Sequence, residues 1–177
     1  TSGSLQKEIP VDSYVVARYG LALDGVLHFY DSQRVRNIEL ENAFIEQTGW
    51  NKLLSRPYVV SGDGELFTAL SSEDTHAGFT ATAIGFYGPQ GRVLRLPLAQ
   101  EDMNSRIERF TYDGLRITNY EMETSAIYGL AALLGHRACS INCIIANRAA
   151  GTFSLNPQES IDKMIKYTLD KLADMPL

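Results

Sequence analysis

Residues 119–147 read NYEMETSAIYGLAALLGHRACSINCIIAN, and the fold turns on how this stretch is read. Its first part carries Met122, Ala126, Ile127, Leu130, Ala131 and Leu134 at the spacing of one inward helical face. Asn119 precedes the helix, and Gly135 ends it in the way glycine commonly closes a helix. The run 139–147 is then apolar and β-rich without polar alternation, the pattern of a strand covered on both faces. A helix leading directly into such a strand indicates an α/β domain. The expected architecture is a mixed central sheet flanked by helices, in three layers.

Working outward, the same alternation continues. Residues 13–18 form a β-branched strand, and 39–48 a helix with Leu40, Ala43 and Phe44 inward and Gly49 at its end. Pro57 opens the strand PYVVSG, Gly62 to Gly64 turns the chain, and a brief helix covers 65–70. Residues 78–86, GFTATAIGF, read as a strand running into a loop beside Gly88 and Pro89. Asp113 and Gly114 make a tight turn between FTY and LRIT. The last helix starts with Asn156 as cap, Pro157 in first position and Glu159 in third. Its apolar stripe is Ile161, Met164, Ile165, Leu169 and Leu172.

Composition narrows the function. The 177 residues are 45% hydrophobic and 21% charged, in the range of one globular domain. A net charge of −5 argues against a nucleic-acid surface, yet leaves room for an anion held by a few arginines and backbone N–H groups. Cys139 and Cys143 have neither the number nor the spacing for a disulfide framework or a zinc site, and read as free thiols in a reducing, cytoplasmic setting. No apolar run is long enough to span a membrane. His28, His76 and His136 have no partners at catalytic or metal-ligand spacing, so no metal is expected.

Four clusters carry chemistry. Glu121, Met122 and Glu123 open the helix; acids there favour the positive end of the helix dipole, and a pair of carboxylates can also grip vicinal hydroxyls. In Phe86–Arg92, FYGPQGR, the Gln90 amide offers one donor and one acceptor, matching the O2/N3–H edge of uracil. Arg92 can donate to O4 and an aromatic ring can stack; an ordinary exposed turn would show the same letters. Arg148 follows the apolar strand, where it either marks the exit to solvent or stands at a ligand-binding strand end. Thr1, Ser2 and Gly3 say little alone.

Together, in this order, NYEMETSAIYGLAALLG, ANRAAG, FYGPQGR, LALDGVLHFY and TSG resemble the uridine phosphorylase branch of the nucleoside phosphorylase family over nearly the whole chain. The resemblance implies phosphorolysis of uridine to uracil and ribose 1-phosphate, with inorganic phosphate as co-substrate and no organic cofactor. It implies Gln90 and Arg92 as the catalytic base readers and Phe86 packed against the base. Glu123 with Glu121 and Met122 would hold the ribose, Arg148 would support the O4 side, and Thr1 would contact phosphate. Where purine-directed relatives carry an acid after the late strand, this chain has Ala146, Asn147 and Arg148, which favours pyrimidines. Family members are longer and assemble as homo-oligomers, dimers or hexamers. Residues 1–177 are therefore expected to be the larger, C-terminal part of one domain, starting inside a loop. Rival readings are a purine- or nucleotide-directed relative, and a nucleoside-binding or assembly module without catalysis.

Overall fold

The computed structural model describes residues 1–175, which form a mixed eight-stranded sheet with five helices around it. In chain order the elements are β1 (Ser2–Ser4), β2 (Tyr14–Ala22), α1 (Ile38–Thr48), β3 (Tyr58–Ser61), α2 (Gly64–Leu70), β4 (Thr75–Thr82) and α3 (Met103–Arg109). Then follow β5 (Thr111–Tyr112), β6 (Leu115–Glu121), α4 (Thr124–Leu133), β7 (Ile141–Asn147), β8 (Thr152–Phe153) and α5 (Pro157–Ala173).

The strands lie in the order β3-β2-β4-β6-β1-β7-β8, with β5 folded onto β6. β2, β4 and β6 run parallel, whereas β1 and β7 run the other way. β2 serves three neighbours, β3, β4 and β7. The second half of β2 pairs with β3, and its first residues pair with β7, Tyr14 opposite Cys143 and Val16 opposite Ile141. The strands β2, β4, β6, β1 and β7 thereby close into a ring.

Burial follows from the sequence pattern. Val15, Val16, Ala17, Leu21 and Ala22 of β2 are all buried, so both faces of that strand are covered. One core layer joins Leu21, Val59 and Ile117 to a run of aromatic rings, Trp50, Phe44, Phe110 and Phe79, whose successive centroids are 5.6, 5.3 and 5.4 Å apart. The other layer packs Tyr58, Val60 and Leu27 against Tyr128. Helix α4 sits close on the sheet; a Cβ at Gly20 would lie 2.9 Å from Ser125 Cα.

Several boundaries differ from the sequence expectation. β6 continues through Asn119, Tyr120 and Glu121, and α4 begins only at Thr124. Asn119 is not a helix cap; it is buried in the sheet, where Thr80 and Thr118 donate to its side-chain oxygen and its amide donates to Ser2. The inward face of α4 is Thr124, Ser125, Tyr128 and Gly129. Met122, Ile127 and Leu134, expected inside, are 42%, 52% and 71% exposed. β4 starts earlier than expected and stops at Thr82, because Ala83 N makes the last ladder contact, to Glu121 O.

Ser2–Ser4, expected to lie in a loop, is a central strand between β6 and β7. In α5, Pro157 takes the first turn as expected, but the Asn156 amide donates to Glu159 rather than capping the backbone. Ile165, Leu169 and Leu172 are exposed, since α5 docks through Tyr167, whose hydroxyl donates to Leu70 O and whose ring meets Tyr14. Cys139 and Cys143 are free thiols.

Asp12 ties α5 to the sheet: Ser154 and Ser160 both donate to its Oδ1 at 2.6 Å. These two bonds, Ser154 first, hold its carboxyl below the ordinary 3.8. A depressed carboxylate contributes stability above its unfolded pKa and loses it as the pH falls. Asp12→Asn, at a left-handed backbone position that Asn tolerates, should therefore cost about 0.5 kcal/mol at neutral pH. The cost should vanish in melts run well below the ordinary carboxylate pKa.

Candidate functional site

The segment between β4 and α3 tightens into a short turn at Gly88–Gln90, closed by bonds from Gln90 N, Arg92 N and Gly91 N to Tyr87 O and Gly88 O. Gly91 has φ +71, a conformation that favours glycine. This turn presses Gln90 inward until only 3% of it is exposed. Two guanidiniums meet its side-chain oxygen, Arg92 Nη1 at 2.6 Å and Arg148 Nη1 at 3.4 Å. Arg148 Nη2 also donates to the Gln90 backbone oxygen, which accepts Asn104 Nδ2 at 3.0 Å as well.

Aromatic faces support both cations. Arg92 lies 3.7 Å from the Phe86 ring centroid and donates to Phe86 O, while Arg148 lies 5.2 Å from that of Tyr120. Among the described residues, neither guanidinium has a carboxylate within ion-pair distance. Burial lowers the pKa of each, and the charge of Arg92 lowers that of Arg148 further. Two cations without a counter-charge, around one neutral amide, form an electropositive receptor for an electron-rich ligand.

The structure thus brings Phe86, Gln90, Arg92 and Arg148 together. Arg148 arrives by an unexpected route. β7 runs opposite to β4 and β6, so its end is not the end at which theirs lie. The side chain instead crosses the three-residue β1, resting on Gly3, to reach Tyr120 and Gln90. Phe86 has its ring face under Arg92.

The carboxylates divide. Glu121 turns inward, where Thr82 Oγ1 donates to Oε1 at 2.6 Å and Glu123 N, Thr124 N and Thr124 Oγ1 donate to Oε2. It holds the start of α4 and is already fully engaged. Met122 and Glu123 are exposed at the turn from β6 into α4, and among the described residues the Glu123 carboxylate makes no hydrogen bond. Thr1 is also exposed. Since β1 is antiparallel to β6 with Gly3 opposite Tyr120, Thr1 lies toward the end of β6 from which Met122 and Glu123 continue.

A cavity of about 600 Å³ adjoins this cluster, lined by Leu23, Trp50, Tyr87, Arg92, Leu96 and Met103 among others. Of Gln90, Arg92 and Glu123, only Arg92 lines it. Asn104 and Tyr120 were not identified from sequence. Among the described residues, no group of three His, Cys, Asp or Glu side chains could hold a metal ion, and no helix is long and apolar enough to cross a membrane.

The model for the phosphorylase superfamily matches residues 1–173. A curated uridine phosphorylase of Thermococcus kodakarensis is 26% identical over 162 residues, 86% of this chain and 48% of that protein. A crystal structure of Trypanosoma brucei nucleoside phosphorylase, described as showing uridine phosphorylase activity, superposes with a TM-score of 0.86 at 25% identity, over 99% of this chain and 62% of that one. A structure from work on two uridine phosphorylases of the oomycete Phytophthora capsici shares the fold, with a TM-score of 0.67 at 20% identity, over 100% of this chain and 64% of that one. The chain spans about half the length of the curated relative and under two thirds of either solved chain.

Proposed function

The chain belongs to the phosphorylase superfamily, and on that premise we propose that it supplies the base and ribose sites of an enzyme that splits uridine with inorganic phosphate. The products are uracil and ribose 1-phosphate. The observation that carries this reading is the pair of uncompensated guanidiniums, Arg92 and Arg148, at the buried amide of Gln90.

Breaking the bond between the sugar C1′ and the base N1 leaves positive charge on the ribose and negative charge on uracil. Donors aimed at the base oxygens stabilise that charge as it develops. Uracil N3–H needs an acceptor, and Gln90 Oε1 is one, while Gln90 Nε2 donates to O2. In the structure Oε1 accepts from both arginines, so the arriving base replaces at least one of them. The displaced guanidinium is then free to turn toward O4. Glu123 accepts hydrogen bonds from the ribose hydroxyls, and Thr1 contributes to the phosphate side. Homo-oligomeric assembly and a cytoplasmic location belong to the same proposal.

The test is release of uracil from uridine by the intact protein, dependent on phosphate. Glu123→Ala should keep its melting temperature and lose about 10- to 100-fold in preference for ribose over 2′-deoxyribose substrates, the worth of hydrogen bonds to a charged acceptor. Faster cleavage of inosine would assign the site to purines. Uridine bound without phosphate-dependent cleavage would make the chain a binding module.

A further inference from the structure

The geometry points to Asn104, near the start of α3, as a positioning residue that sets the Gln90 amide for base recognition. Its Nδ2 donates to Gln90 O at 3.0 Å, and its Oδ1 accepts from Tyr120 OH at 3.2 Å. Tyr120 is buried in β6, with Arg148 over its ring. One neutral amide therefore joins the two halves of the cluster, the turn that carries Gln90 and Arg92 and the sheet that carries Tyr120 and Arg148. The turn is built against it: a Cβ at Gly91 would fall 2.1 Å from Asn104 Nδ2.

Asn104 matters most when the site is occupied. The Gln90 backbone oxygen has two outside donors, Arg148 and Asn104. A bound base draws the guanidiniums toward its own oxygens, and Asn104, being uncharged and already paired with Tyr120, stays behind. It then holds the Gln90 carbonyl while the cations are recruited. This inference rests on the assignment of Gln90 as base reader.

The experiment is a double-mutant cycle in the intact protein. Asn104→Leu, of similar volume, removes both bonds; it should raise KM for uridine on the order of 10- to 100-fold, as expected when a reading group is misplaced by about 1 Å. In a Gln90→Ala background the same change should add almost nothing. Tyr120→Phe, which frees Asn104 from the sheet but leaves its bond to Gln90, should raise KM by less than Asn104→Leu, and that rise too should disappear in the Gln90→Ala background. If Asn104→Leu does not fold, Asn104→Ala, which also removes both bonds and adds no charge beside Arg148, gives the same contrast. Equal losses with and without the Gln90 side chain would overturn the proposal, because they would mean that Asn104 does not act through that amide.

Should the parent protein neither bind uracil nor cleave uridine, the base assignment fails by itself. The link is then read from the side-chain amide resonance of Gln90, which should move in Asn104→Leu. An unmoved resonance in Asn104→Leu would refute the link independently.

Discussion

Arg92→Ala is expected to lower kcat/KM for uridine by about 100- to 1000-fold, the loss that follows removal of one donor at a developing anion. Its melting temperature should stay level or rise slightly. The guanidinium is partly desolvated, has no carboxylate partner among the described residues, and stands near a second cation, so the folded chain gains little from its charge. A residue that is neutral for stability and large for turnover acts on the ligand. Arg92→Lys should recover little, because a single ammonium cannot lie flat on Phe86 while also reaching Gln90 Oε1 and Phe86 O. Combining Arg92→Ala with Gln90→Ala should cost less than the sum of the two, since both serve one base. Steady-state kinetics beside thermal melts decide it; unchanged uridine kinetics in Arg92→Ala would remove the base-reading assignment.

Glu41→Ala has the opposite signature. Its carboxylate is completely buried on α1 and accepts Arg36 Nε at 2.8 Å and Arg36 Nη2 at 2.5 Å. Arg56 Nε lies 3.9 Å away and Val59 N 3.4 Å away. Removing one member of such a pair strands the other, at a cost of roughly 3–5 kcal/mol. For a chain of this size that lowers the melting temperature on the order of 10 °C. Replacing Arg36 and Glu41 together with apolar residues should return most of the loss, because the cost lies in the unpaired charge. A melt of Glu41→Ala within a degree or two of the parent would show that water reaches the pair.

What could be read from the sequence was what local pattern encodes. The helix ending at Gly49, the Asp113-Gly114 hairpin and the covered strand β7 each announce themselves in a few adjacent residues. The three-residue β1 has no apolar rhythm, and only its neighbours β6 and β7, far along the chain, make it a strand. At 119–121 the letters fit a helical period, yet the chain continues a strand buried on both faces, so Asn119 lies in the sheet and Met122 outside the helix. For the same reason Glu121 and Glu123 look alike in sequence, yet one is folded inward as a helix-start acceptor and the other is left exposed. That Phe86, Gln90, Arg92 and Arg148 form one cluster was legible because FYGPQGR and ANR keep their letters together. Asn104 was not, because its partners Gln90 and Tyr120 are 14 and 16 residues away.

A loop of strands bonded head to flank has no free border at which to peel. Tyr120 and Gly3 belong to that loop, so the floor of the proposed base site gives way only when the whole molecule does. Gln90 and Arg92 hang above it on a span without a ladder, pinned by side chains alone. The proposed site therefore joins a floor that is bonded on every side to a span whose hold on that floor is a few side chains.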